Sequence, residues 1–131
     1  MRIDKILLDE LSAKAAASPR LRMNYDLRTS PSDNSQRMLN AIEPGTMLPV
    51  HRHRKSTEVV AILRGSATQY FYDDSGVVTE TVTIKAGSGC TAMSVEAGRW
   101  HRIESLEPGT VILACQDGAY EPMADEDILN L

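Results

Sequence analysis

Apolar positions recur at two different periods along this chain, and the change between them divides it. In residues 3–17, Ile3, Ile6, Leu7 and Leu11 fall at helical spacing, and the alanine-rich run 13–17 favours helix. Asp4 can cap the start of this helix, and Ser18-Pro19 ends it, because the residue before proline avoids the helical region. Residues 20–28 alternate basic or polar with apolar side chains and predict a first strand; residues 29–35 are a polar loop rich in turn formers. From residue 36 onward the pattern is that of strands. They are predicted over 36–42, 57–63, 66–72, 77–84, 90–95, 99–105 and 110–116, with 66–72 and 77–84 forming a hairpin around Asp73-Asp74-Ser75-Gly76. The tetrapeptide Glu-Pro-Gly-Thr closes two of the intervening turns, at Glu43 and at Glu107, which we read as convergent turn chemistry.

Short strands at regular spacing with one helix predict an all-β sandwich or small barrel. In the strand 58–63, Glu58, Val60 and Ile62 share one face and Val59, Ala61 and Leu63 the other. A strand apolar on both faces is expected to be covered on both, by the helix or by a second subunit, so a homodimer is expected.

Composition narrows the picture. The chain has 131 residues, 42% of them hydrophobic, which suits one soluble domain. A net charge of −4 argues against a nucleic-acid binder. No apolar run approaches membrane-spanning length and no N-terminal leader pattern appears, so a cytoplasmic protein is expected. Two cysteines, Cys90 and Cys115, are too few for a disulfide framework and are read as buried thiols. Basic residues gather at Arg52, Arg54, Lys55 and Arg64, whereas residues 117–127 carry five acids and no base. The chain is thus read as a helix, strand and loop over 1–35, a β body over 36–116 and an acidic tail over 117–131, one domain overall.

The candidate chemistry lies in residues 45–65, GTMLPVHRHRKSTEVVAILRG. On a strand, His51 and His53 would face the same way, and Glu58 follows at close range. The third histidine of the chain, His101, comes after the turn 96–98. Three imidazoles and one carboxylate complete a ligand set for a divalent transition metal (Fe, Zn, Ni or Mn) with positions left open for water or substrate. The bland alternatives are a buried polar network without metal, and a metal that only holds the structure together.

Gly45-x5-His51-x-His53-x4-Glu58-x6-Gly65 resembles the first cupin motif at every position. Gly98-x2-His101 resembles the second in part, with Glu96 where proline is usual, Ser105 where asparagine is usual and the opening glycine shifted to Gly89. This resemblance, over residues 36–116, implies a jelly-roll β-barrel carrying a metal on His51, His53, Glu58 and His101. The N-terminal helix, the SPRLRMNYDLR and QRMLNAIEPGT segments and the short acidic tail are similar to the WbuC family of small cupins, which implies a polysaccharide-biosynthesis context.

Other candidates depend on which strand faces line the pocket. Tyr70 and Tyr72 share a face and, if it is the inner one, supply an acid, base or substrate clamp. Arg37 and Asn40 lie on opposite faces of their strand, and either could bind substrate. Arg52, Arg54 and Lys55, with Arg99 and Arg102 flanking His101, would form a cationic rim for an anionic ligand, unless they pair with nearby acids. The expected function is a small metal-dependent enzyme, an isomerase, epimerase or dioxygenase, acting on an anionic or carbohydrate-derived metabolite. The alternative is a non-catalytic module that binds a sugar or metabolite.

Overall fold

The computed structural model describes residues 1–130. Helix α1 (Lys5–Ala17) leads into ten strands: β1 (Arg22–Asp26), β2 (Ser35–Ile42), β3 (Val50–His51), β4 (Glu58–Arg64), β5 (Ser66–Tyr72), β6 (Val78–Lys85), β7 (Ala92–Val95), β8 (Trp100–Ser105), β9 (Val111–Asp117) and β10 (Ile128–Leu129). They form two five-stranded antiparallel sheets, ordered β1-β2-β9-β4-β7 and β10-β3-β8-β5-β6. This is a jelly roll with one short helix: the spacing of strands and turns predicted a sandwich or small barrel, and the cupin resemblance implied the jelly roll.

Asp4 caps α1 by accepting a hydrogen bond from the Leu7 amide at 3.1 Å. The buried face of the helix is Leu8, Leu11 and Ala15, whereas Ile3 and Ile6 are exposed, so the apolar stripe is rotated from the one the sequence suggested. Those residues pack on Leu39, Ala41 and Val111, the outer face of β2 and β9. Between the sheets, Ile42, Val60, Ile62, Ala67, Ile84 and Ile112 form a second core at one end, leaving the other end open.

On β4 the sequence parity holds, but its outer face is not covered by this chain. Val60 and Ile62 are buried, while Val59 and Leu63 are 45% and 36% exposed. The helix is bonded to β4 through Arg64, whose guanidinium binds Asp9 and Ser12.

The two Glu-Pro-Gly-Thr turns turn out to be neighbours. Each threonine hydroxyl donates to the carbonyl of its own glutamate, Thr46 to Glu43 at 2.6 Å and Thr110 to Glu107 at 2.8 Å. The Glu43 carboxylate in turn accepts the Gly109 amide at 3.3 Å. Gly65 links β4 to β5 against this corner, with φ +82 and a Cβ position only 2.8 Å from Thr110 Cα. No other residue fits there without moving backbone.

Residues expected as an acidic tail fold back onto the sheet. A short 3-10 helix, Asp125–Asp127, precedes β10, in which Ile128 lies opposite His51 and Leu129 opposite Val50. The cysteine expectation is corrected: Cys90 is exposed and Cys115 half-buried. Cys90 falls outside β7, and Cys115 sits in β9 with its strand only partly covered. Among the described residues no helix is long and apolar enough to cross a membrane.

Candidate metal centre

Two strands and one turn bring the histidines together. β3 is only two residues long, and its His51 pairs directly with His101 on β8. His53 lies beyond the end of β3, so the expectation that His51 and His53 share a strand face is corrected. What places His53 instead is its backbone: its carbonyl accepts the Gly98 amide at 2.7 Å. Gly98, at φ +82, belongs to the turn before His101, so this bond ties the two histidine segments to each other. Glu96, standing where proline is usual, still closes that turn through its carbonyl, which accepts the Arg99 amide at 3.3 Å.

The three imidazole rings lie with centroids 4.3 to 5.3 Å apart. One ligand-capable nitrogen from each falls within 4.8 Å of the others. The Glu58 carboxylate joins them, 3.6 Å from His53 Nε2 and 3.8 Å from His101 Nε2. Two of the rings are oriented from behind. His51 Nδ1 donates to the Pro49 carbonyl at 3.0 Å and His101 Nδ1 to the Arg99 carbonyl at 2.8 Å. A carbonyl oxygen can only accept, so Nδ1 carries the proton and each Nε2 presents a lone pair. His53 Nε2 and His101 Nε2 are buried without any hydrogen-bond partner among the described residues. Buried polar atoms are ordinarily paired, and a group of them facing one another is what a coordinated cation satisfies.

The electrostatics agree. Burial pushes the His101 imidazole down to about 3, with His51 adding to the shift, and His53 down to about 4. His51 is lowered by the same burial. Burial also pushes the Glu58 carboxyl up to about 7. The imidazoles are therefore neutral at pH 7, and their approach to Glu58 is not an ion pair. Neutral imidazole is the form that ligates a metal, and a divalent cation would offset the desolvation that holds Glu58 near neutrality. The donor set fits such an ion.

The site opens into a cavity of about 1090 Å³ between the two sheets, lined on one wall by Asn24, Gln36, Met38, Asn40 and Gln116 and on the other by Gln69 and Ile103. Asn40 therefore faces the cavity and Arg37 does not. Arg37 Nη2 turns outward to the Asp33 carboxylate at 2.9 Å and the Leu27 carbonyl at 3.3 Å. Tyr70 and Tyr72 are not among the lining residues either. They occupy the opposite face of β5, where Tyr72 packs on Val50 and Trp100 and its hydroxyl accepts from Arg102 Nε at 3.2 Å. The inward residue that lines the cavity is Gln69, one position before Tyr70, which the sequence pattern gave no reason to prefer, because either parity of β5 carries bulky side chains.

The cationic rim is largely paired. Arg52 Nε donates to the Asp127 carboxylate at 3.0 Å, Arg54 binds the same carboxylate, and Arg52 also lies over the Trp100 ring at 4.3 Å. Arg99 pairs with Glu80 at 2.6 Å, and Arg102 lies 3.7 Å from Glu104. The rim thus follows the alternative in which it pairs with nearby acids, and the returning tail supplies one of them.

Known structures share this architecture. An oxalate oxidase in complex with glycolate superposes with a TM-score of 0.65 at 12% identity, over 83% of this chain and 57% of that one. KdgF from Halomonas sp. superposes with a TM-score of 0.62 at 13% identity, over 79% of this chain and 84% of that one. Oxalate decarboxylase of Bacillus subtilis, described for its Mn(II) centres, does so with a TM-score of 0.59 at 22% identity, over 84% of this chain and 28% of that one. These neighbours are cupins, and the likeness shows that this chain has the cupin fold; it spans little more than half of the oxalate oxidase chain. No curated protein matches the sequence. A family described as a domain of unknown function, DUF6016, matches residues 3–84, which is more than half of the chain, and the chain belongs to that family.

Proposed function

We propose that this chain is a small metal-dependent cupin enzyme in which His51, His53, Glu58 and His101 hold one divalent transition metal. The observation that carries the proposal is the pair of buried, unpartnered Nε2 atoms on His53 and His101, directed at the same point as Glu58. A metal bound there supplies Lewis acidity or, if it is iron or manganese, oxygen activation. The chain's own residues set the rest. The Pro49 and Arg99 carbonyls hold the ring orientation of His51 and His101, and the apolar lining of Val60, Ile103 and Ile112 excludes water around the ligand. The substrate is a small anionic or carbohydrate-derived metabolite; the WbuC-like N-terminal segments support the second source.

Elemental analysis of protein purified without chelator tests this reading. The expected result is about one metal ion per chain, with most of it lost in His53→Ala and in Glu58→Ala. Metal-free native protein, or variants that keep full occupancy, would refute it. Iron or manganese would direct assays to oxygen consumption; zinc or nickel would direct them to isomerisation.

A second reading, a non-catalytic binding module, is favoured by one observation: the phenols of Tyr70 and Tyr72 lie outside the cavity, so neither serves as its acid or base. Ligands that bind the metal-loaded protein without turnover would select it. The half-exposed Val59 and Leu63 on the outer face of β4 support a homodimer built on that face.

A further inference from the structure

Gln69 is 1% exposed and lines the cavity, yet its side-chain Nε2 has no hydrogen-bond partner among the described residues. The other long carboxamides of the cavity are satisfied: Gln116 donates to Ser56 Oγ at 2.6 Å and Gln36 to the Gly118 carbonyl at 3.1 Å. A buried unpaired amide donor lowers stability, so a leucine of similar volume would serve the fold better. Gln69 is also placed to act with the histidine cluster. Across β5 and β8, Gln69 lies opposite Ile103 and Phe71 opposite His101, so Gln69 and His101 project from the same face. Such diagonal neighbours are spaced at roughly 7–8 Å.

The chemistry of the missing acceptor follows from charge. The basic residues lining the cavity are Arg20, Arg22, Arg52, Arg54 and Lys55, none of which is buried. A carboxylate held at the depth of Gln69 rather than by the histidine cluster would therefore be desolvated without a side-chain cation beside it. A hydroxyl or carbonyl oxygen would not. On the facing sheet, Asn24 and Asn40 pair across β1 and β2 and both line the cavity, adding donors and acceptors of the kind that bind hydroxyl groups.

We propose that Gln69 is a ligand-binding residue whose side-chain N–H donates to an uncharged oxygen of a hydroxyl-rich ligand of monosaccharide size, facing the Asn24–Asn40 wall. The proposal rests on the metal-centre reading, in which the histidine cluster takes another oxygen of the same molecule.

The test uses calorimetric titration of metal-loaded protein with D-glucuronate and with adipate, a dicarboxylate of similar length without hydroxyls. It is run on the natural chain and on Gln69→Leu, with metal content and melting temperature measured for both. The expected result is binding of glucuronate in preference to adipate, weakened about tenfold by the substitution. Metal content should be unchanged and the melting temperature equal or higher. Equal glucuronate affinity in the variant would overturn the proposal. So would adipate binding as tightly as glucuronate, or no binding of either probe. A lower melting temperature, or failure of Gln69→Leu to fold, would make Gln69 a structural hydrogen-bonding residue and also overturn it. A natural chain that holds no metal refutes the metal centre instead, and Gln69-dependent glucuronate binding in that protein would leave this proposal standing.

Discussion

Replacing Glu58 by glutamine should stabilise the metal-free protein at alkaline pH while destroying the metal site. The Glu58 side chain is only 16% exposed, and burial raises its carboxyl from an ordinary 4.5 to about 7. A carboxyl raised on folding binds more protons in the folded chain than in the unfolded one. Its contribution is therefore fully present below 4.5 and is lost as pH rises through 7. The displacement from 4.5 to about 7 corresponds to about 3 kcal/mol. Glutamine has nearly the same shape and cannot ionise. In chelator at about pH 8, Glu58→Gln should be more stable than the natural chain by up to about 3 kcal/mol, and the gap should close near pH 5. The histidines act in the opposite sense. His53 and His101 are depressed to about 4 and about 3, so the unfolded chain takes up protons first and both proteins lose stability as pH falls below 6.5. Because that loss is common to the two, the difference between them isolates Glu58. Denaturant titration across this pH range, with chelator and then with added divalent metal, measures it. Metal should stabilise the natural chain and leave the variant nearly unmoved, narrowing or inverting the order seen in chelator. A difference curve flat from about pH 5 to pH 8 in chelator, or a variant less stable at the alkaline end, would refute the reasoning.

Gly65→Ala should destabilise the protein by at least about 2 kcal/mol in denaturant titration, since it adds a left-handed backbone penalty to a contact with Thr110 backbone. Asp127→Asn removes the carboxylate shared by Arg52 and Arg54. It should lower the melting temperature slightly and speed hydrogen exchange at Ile128, where the returning strand meets β3. Leu63→Arg should convert a dimer to a monomer in light scattering without lowering the melting temperature of the monomer, because its outer position is partly open to solvent. An unchanged association state would show that the outer face of β4 is not the interface.

Much of the fold was legible because alternation and turn residues are local. The hairpin around Asp73 and Gly76, the end of α1 at Ser18 and the span of β2 all followed from neighbours in sequence. The candidate metal site was legible for a related reason: His51, His53 and Glu58 lie within a few positions, and His101 was the one histidine left to join them. Period-two patterning says which residues share a face, but not which face points inward. On β2 it could not separate Asn40 from Arg37, and on β5 it could not reject Tyr70 and Tyr72 in favour of Gln69. Those choices depend on β5 lying beside β8 and β2 beside β9, contacts between residues far apart in the chain. Similarly, local alternation placed His53 on a strand, whereas its position is set by the bond between its carbonyl and Gly98. Whether the cationic rim was paired stayed open in sequence because its counter-ion, Asp127, arrives from the far end of the chain. The sequence by itself thus determined the elements, the grouping of the three histidines and the all-β architecture, all of which rest on short-range pattern and residue chemistry. Only the tertiary structure decided what faces the cavity and what charge it retains, because those are settled by strand pairing and by burial.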